Sequence, residues 1–92
     1  MDIKLNTKVL KNCNTYVSEI NEDKAIMNLE KGEYFALNSI GSRIWDALDE
    51  TSIPSEIINI LIKEYDINEE KCTDSVLKFL NKLYEIGLLN IA

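Results

Sequence analysis

The 92-residue chain has the length of one domain, residues 1–92, and buries only about 60–65% of the surface its unfolded form would expose. Its 46% hydrophobic and 28% charged residues are the balance of a soluble globular protein. Formal net charge is −6, and its placement excludes more than its size: residues 1–43 hold six acidic and six basic side chains, whereas residues 44–92 hold ten and four.

An acidic C-terminal half is the opposite of what phosphate-neutralising nucleic-acid binders need. The longest apolar run, Ile57 to Ile62, is broken by Asn59 and falls far short of the roughly 18 residues of a membrane span. The start Met1-Asp2-Ile3-Lys4 lacks the basic region and apolar core of a signal peptide, so the expectation is a cytoplasmic protein. No histidine occurs anywhere, and the two cysteines, Cys13 and Cys72, form no C-x-x-C pair. That removes Ser-His and Cys-His nucleophiles and the usual metal ligands, so no catalytic residue, metal site or cofactor is expected. In a cytoplasmic protein both cysteines are expected to be buried free thiols.

In chain order, strand character appears at Lys8–Asn12, Tyr16–Ile20, Ala25–Leu29 and Glu33–Leu37. Alternation puts Ala25, Met27 and Leu29 on one face. The links are short: Asn21-Glu22-Asp23-Lys24 is a polar loop, and Gly32 in Glu30-Lys31-Gly32 offers the positive φ that tight hairpins use. Short links predict an antiparallel meander with Glu33–Leu37 free to lie at an edge.

From residue 38 the apolar period becomes helical. Asn38 or Ser39 can cap a first helix carrying Ile40, Ile44, Trp45 and Leu48, ending near Asp49-Glu50. Ser52 is the predicted cap of a second, with Pro54 in its first turn and a stripe of Ile57, Ile58, Leu61, Ile62 and Tyr65. Asn68 is the predicted cap of a third from Glu69 to Ile86. Gly87 stops it, and Leu88-Leu89-Asn90-Ile91 leaves as an extended tail.

The third helix has an apolar arc of about 180°, wider than one neighbour requires. Cys72, Thr73, Val76, Leu80 and Leu83 are flanked by Leu77 and Tyr84 on one margin and by Phe79 and Ile86 on the other. Either the helix is sandwiched between two elements, or one margin lines a groove for a partner. Lys71, Lys78 and Lys82 lie on the polar arc, as a solvated face or as partners for acidic side chains. Trp45 reads as core, and Asn38 as a cap and turn former. Tyr84 and Leu77 stay open between core and groove.

The run Gly32-Glu33-Tyr34-Phe35-Ala36-Leu37-Asn38-Ser39-Ile40-Gly41-Ser42-Arg43-Ile44-Trp45 resembles the signature of the PqqD-like family: an aromatic strand, Leu-Asn, two residues, Gly, two residues, Ile-Trp. Val76, Phe79-Leu80, Leu83 and Gly87-Leu88-Leu89 resemble that family's third helix and exit, so the likeness spans roughly residues 8–91. It departs at Ser75, where the family often has an acidic residue before the helix-three valine; here Asp74 sits one position earlier. The glycine often found before the second helix is also missing from Asp49-Glu50-Thr51-Ser52.

The resemblance implies an α+β, winged helix-turn-helix-like fold, with a three-stranded antiparallel sheet followed by three helices. It implies a non-catalytic recognition element for ribosomally synthesised, post-translationally modified peptides. In such proteins a precursor's leader segment joins the sheet edge against helix three and is presented to a modifying enzyme or leader peptidase. A lasso-peptide pathway is favoured, with a radical SAM pathway next. The implied peptide-binding residues are Glu33, Tyr34, Phe35, Ala36 and Leu37 on the strand, with Asp74, Leu77, Lys78, Asn81 and Tyr84 on the helix. Phe35 and Leu37 are expected in the core.

Such an edge fits strand addition, because Glu33–Leu37 carries one charge and so little protection against pairing. It also allows an edge-paired dimer as well as a monomer. A winged-helix DNA-binding regulator is the alternative, opposed by the four acidic and three basic side chains of helix three. An interaction or immunity protein using the same edge is a third reading. No nucleic-acid or membrane partner is expected.

Overall fold

Hydrogen-bonded register sorts the strands into two groups. A computed structural model describes residues 2–21 and 23–92. In it β1 (Val9–Lys11), β2 (Thr15–Ile20), β3 (Asp23–Asn28) and β4 (Glu33–Leu37) precede α1 (Ser39–Ala47), α2 (Pro54–Glu64), α3 (Glu69–Glu85) and β5 (Leu89–Ile91). The sheet is antiparallel with order β2-β3-β4, and β1 pairs only with β5. This is the expected α+β, winged-helix-like arrangement of a three-stranded sheet followed by three helices. The first predicted strand, however, does not join the meander. The extended tail returns to pair Val9 with Ile91 and Lys11 with Leu89, which buries Val9, Leu88 and Leu89.

The β2–β3 turn is tighter than the four-residue loop expected from sequence. Ile20 pairs with Asp23, so Asp23 and Lys24 belong to β3, and Asn21 takes the positive φ of 58° that asparagine tolerates. Glu22, part of that predicted loop, lies outside the described residues, as does Met1 of the segment read for a signal peptide. Lys24 is held from two sides. Its amide donates to Ser42 Oγ of α1 at 3.1 Å, and its ammonium pairs with Glu19 and with Asp46. Ile26 and Asn28 face the helices and are buried, while Ala25 and Met27 take the other side and Leu29 lies exposed beyond the strand.

Caps set the helix ends. Asn38 Oδ1 accepts from Gly41 N at 2.8 Å, and Asn68 Oδ1 accepts from Lys71 N at 3.2 Å. Ser52 is not a cap: Ile53 holds that position without a side-chain bond, and Pro54 supplies the first turn, where an amide hydrogen needs no intrahelical partner. Instead, the Ser52 carbonyl accepts from Val9 N. Tyr65 is the α2 C-cap and is exposed, so it drops out of the predicted stripe, whereas Ile57, Ile58 and Leu61 are buried. At the end of α3, Leu88 N donates to Leu83 O and Gly87 N to Tyr84 O, the paired closure for which Gly87 adopts φ +84°.

Cys72, Val76, Leu80 and Leu83 of α3 meet Ile57 and Leu61 of α2, Ile44 and Trp45 of α1, and Ile26 and Leu37 of the sheet in one core. Trp45 is buried as expected, with Lys11 Nζ 4.5 Å above its ring. Cys72 is a buried free thiol whose ionisation burial opposes. Cys13 corrects the expectation for both cysteines, because it lies exposed in the β1–β2 bend. Phe35 is only half-buried, against the expectation of full core burial, while Leu37 is buried.

Arg43 of α1 clasps α2. Its Nε donates to both Glu64 carboxylate oxygens at 2.8 Å, and its other nitrogens reach Glu50 at 3.3 Å. The hydrogen bond from Arg43 holds the Glu64 carboxyl below its usual range. A lowered folded-state pKa stabilises above the ordinary glutamate range and loses that contribution as pH falls through the folded value. Urea unfolding should therefore weaken more steeply for the wild type than for Glu64→Gln below about pH 4. Parallel acid limbs would show that the clasp contributes nothing.

Candidate functional site

β4 is an outer strand of the sheet, so among the described residues one side of its backbone faces no neighbouring strand, and an antiparallel or parallel segment can pair there. Its side chains alternate. Phe35 and Leu37 share the helix-facing side with Ile26 and Lys24, their partners on β3, and Tyr34 and Ala36 share the outer side with Met27 and Ala25. Tyr34 is 72% exposed. Beneath the sheet, α1 packs on β3 and β4, whereas α3 packs on α2 and β5. A groove therefore remains between β4 and α3.

Two clefts form that groove, one on either side of Phe35. The first, about 300 Å³, is bounded by Phe35 and Leu37 of β4, Ile40, Gly41 and Ile44 of α1, and Ser75 and Phe79 of α3. The second, about 240 Å³, is bounded by Glu33, Tyr34 and Phe35 with Asn28, Lys82, Ile86 and Leu88. Ser75, Phe79, Lys82 and Ile86 recur at helical spacing and make one line along α3. Gly41 lets this line approach α1, since a Cβ there would stand 3.3 Å from the Phe79 ring and from Asn38 Oδ1.

Glu33–Leu37 therefore lie where the sequence placed them, on an open edge beside α3. The helix residues assigned from sequence do not all follow. Leu77 and Asn81 lie on the opposite flank, where with Asp74 and Lys78 they line a cleft of about 500 Å³ shared with the chain's own N-terminal segment. Ile3 is buried there, donating its amide to Asn81 Oδ1 at 2.7 Å and accepting from Asn81 Nδ2 at 3.1 Å through its carbonyl. The Asn81 amide also donates to Leu77 O. Asp74 and Lys78 pair with each other at 3.1 Å on the exposed ridge between the flanks. Tyr84 is half-buried against the core on the Leu77 side.

The β4-facing margin is instead Phe79 and Ile86, joined by Ser75 and Lys82. Periodicity defined both margins but not which one β4 approaches. A signal did exist in the family departure at Ser75, which stands one turn before Phe79. Among the described residues no group of three or more His, Cys, Asp or Glu side chains is placed to hold a metal ion. No helix there is long and apolar enough to cross a membrane.

An α+β domain of winged-helix-like shape, with an apolar groove beside an open strand, defines the class. Residues 23–89 match the family model described as coenzyme PQQ synthesis protein D (PqqD), and the chain belongs to that family. Among solved structures it is similar to TbiB1 in complex with the TbiA(beta) leader peptide, with 29% identity and a TM-score of 0.81 over 87% of this chain and 93% of that one. It also shares the fold of a lasso peptide synthetase B1 complexed with the leader peptide, at 20% identity and a TM-score of 0.80 over 90% and 98% of the two chains. No curated protein matches the chain.

Asn81→Ala should separate the two flanks of α3. Losing the paired bonds to Ile3 should lower stability by about 1–3 kcal/mol and deprotect the Ile3 amide in hydrogen exchange. The NMR shifts of Glu33–Leu37 should stay in place. Movement of the β4 shifts as large as those at Ile3 would show that the flanks are not independent.

Proposed function

We propose that this protein is a non-catalytic chaperone for the leader segment of a ribosomally synthesised precursor peptide. It acts in the cytoplasm and presents the leader to a modifying enzyme or leader peptidase of the same pathway. The observation that carries this reading is the open edge of β4 beside an apolar groove. The likeness to TbiB1, a protein solved with a leader peptide bound, supports it. Lasso-peptide maturation is the pathway we favour, which agrees with the fold shared with a lasso peptide synthetase B1; a radical SAM pathway comes next.

Leader backbone amides and carbonyls pair along β4. Every second leader side chain points into the two clefts around Phe35, and the intervening ones lie beside Tyr34 and Ala36 on the outer face. Backbone bonds supply sequence-independent affinity, and the clefts discriminate. Phe79 is the central anchor on the helix side, because it walls the larger cleft and rests against Gly41. The four acidic and three basic residues of α3 suit a peptide better than a phosphate backbone.

The test is titration with a fluorescently labelled candidate leader peptide from the gene's own neighbourhood. Phe79→Ala should weaken binding about tenfold or more, the loss typical of a buried aromatic anchor. Tyr84→Ala, on the far flank, should change it less than about twofold by the same scale. Failure of the leader to saturate the folded wild type, or a large loss with Tyr84→Ala and none with Phe79→Ala, would contradict the assignment.

A further inference from the structure

Asn28 is an unusual wall for an apolar cleft. It is one of two buried polar residues among those described, at 4% exposure, and its Oδ1 is fully used, accepting from Glu30 N at 3.0 Å and Lys31 N at 3.2 Å. Its Nδ2 donates to nothing among the described residues, although buried amide donors are ordinarily paired. That nitrogen is not sealed in, since no fully occluded side-chain nitrogen or oxygen among the described residues lacks a partner. Asn28 lines the second cleft with Glu33, Lys82 and Ile86.

Two lysines stand near Asn28, one in the cleft wall and one beside Gly87. Lys82 forms part of the cleft wall. Asn28 Nδ2 and Lys31 Nζ converge on one point beside Gly87, 3.0 and 3.8 Å from where a Cβ would stand. Among the described residues no carboxylate comes within 4.0 Å of either lysine, although Lys11, Lys24, Arg43 and Lys78 all have one. In a chain of net charge −6, Lys82 in the cleft wall, Lys31 beside Gly87 and the unpaired Asn28 amide between them form a local electropositive site. Glu33 is the one acidic residue in that wall, which leaves the three donors in excess.

We infer that the Glu33 end of the β4–α3 groove is a carboxylate subsite, in which Asn28, Lys82 and Lys31 receive an aspartate or glutamate side chain of the bound peptide. This rests on the leader-binding reading and adds to it a charge requirement at one position. A carboxylate suits an amide donor flanked by lysines and forms charge-assisted bonds with the ammonium groups. The other cleft has no charged side chain in its wall and takes an aliphatic or aromatic residue. Both side chains enter from one face of an extended strand, so the acidic and apolar positions differ by an even number in the sequence, as i and i+2 or i+4.

Selection of a displayed random peptide library on the folded protein tests this. Enriched sequences should carry Asp or Glu at a fixed, even spacing from an apolar residue, and selection on Lys82→Glu should turn that position to Lys or Arg. For a resynthesised wild-type binder, neutralising the acidic residue should weaken binding about tenfold. Asn28→Asp keeps the acceptor for the loop amides while removing the donor, and should weaken the same binder. Binders that perturb the Glu33–Leu37 amides but show no acidic position, or keep it unchanged on Lys82→Glu, overturn the carboxylate subsite and leave strand addition intact. Binders that leave those amides untouched, or no enrichment at all, overturn both.

Discussion

β4 ends at Leu37, and the next residue, Asn38, is already the cap of α1. A connection of one residue folds α1 back beneath the sheet, where Ser42 Oγ accepts from the Lys24 amide of β3 and Ile44 and Trp45 enter the core. The sheet's apolar underside is thereby occupied by α1, and α3 is left to pack on α2 and β5. The outer side of the β4 backbone finds no strand partner among the described residues. Edge groups of that kind normally attract another strand, and here they open onto a groove bounded by apolar side chains.

The two flanks of α3 have opposite fates. On the Leu77 side, Asn81 holds the Ile3 backbone through a donor and an acceptor together, so the N-terminal segment runs along that flank and shares a cleft there with Asp74, Leu77 and Lys78. On the Phe79 side no such segment lies among the described residues. The groove's far end is also pinned, because the α3 exit through Gly87 and the β3–β4 loop meet at Asn28. Walls fixed from both sides lose little entropy when a peptide enters, which favours recognition by preformed clefts.

Much of this was legible in the residues. Glu33–Leu37 as a strand, Asn38 and Asn68 as caps, Pro54 in a first turn and Gly87 as a stop follow from local chemistry, and each lies where that chemistry puts it. Where long-range contacts decide, the reading departs. Val9–Lys11 looked like a fourth meander strand because its partner lies some 80 residues onward, and Ser52 looked like a cap because its carbonyl bond to Val9 is invisible in a local window. The helix-three margin stayed open for the same reason. A wheel shows that Phe79 and Tyr84 stand on opposite edges of an apolar arc, but only the position of α1 shows which edge β4 approaches.

Amide hydrogen exchange of the folded protein, with and without a saturating leader peptide, tests the central claim most directly. Strand addition predicts that alternate amides between Glu33 and Leu37, those facing away from β3, exchange quickly in the free protein and become protected in the complex. The Ile3 amide, already held by Asn81, should be unchanged. Binding that protects Ile3 or the β2 amides while leaving β4 as exposed as before would contradict the account.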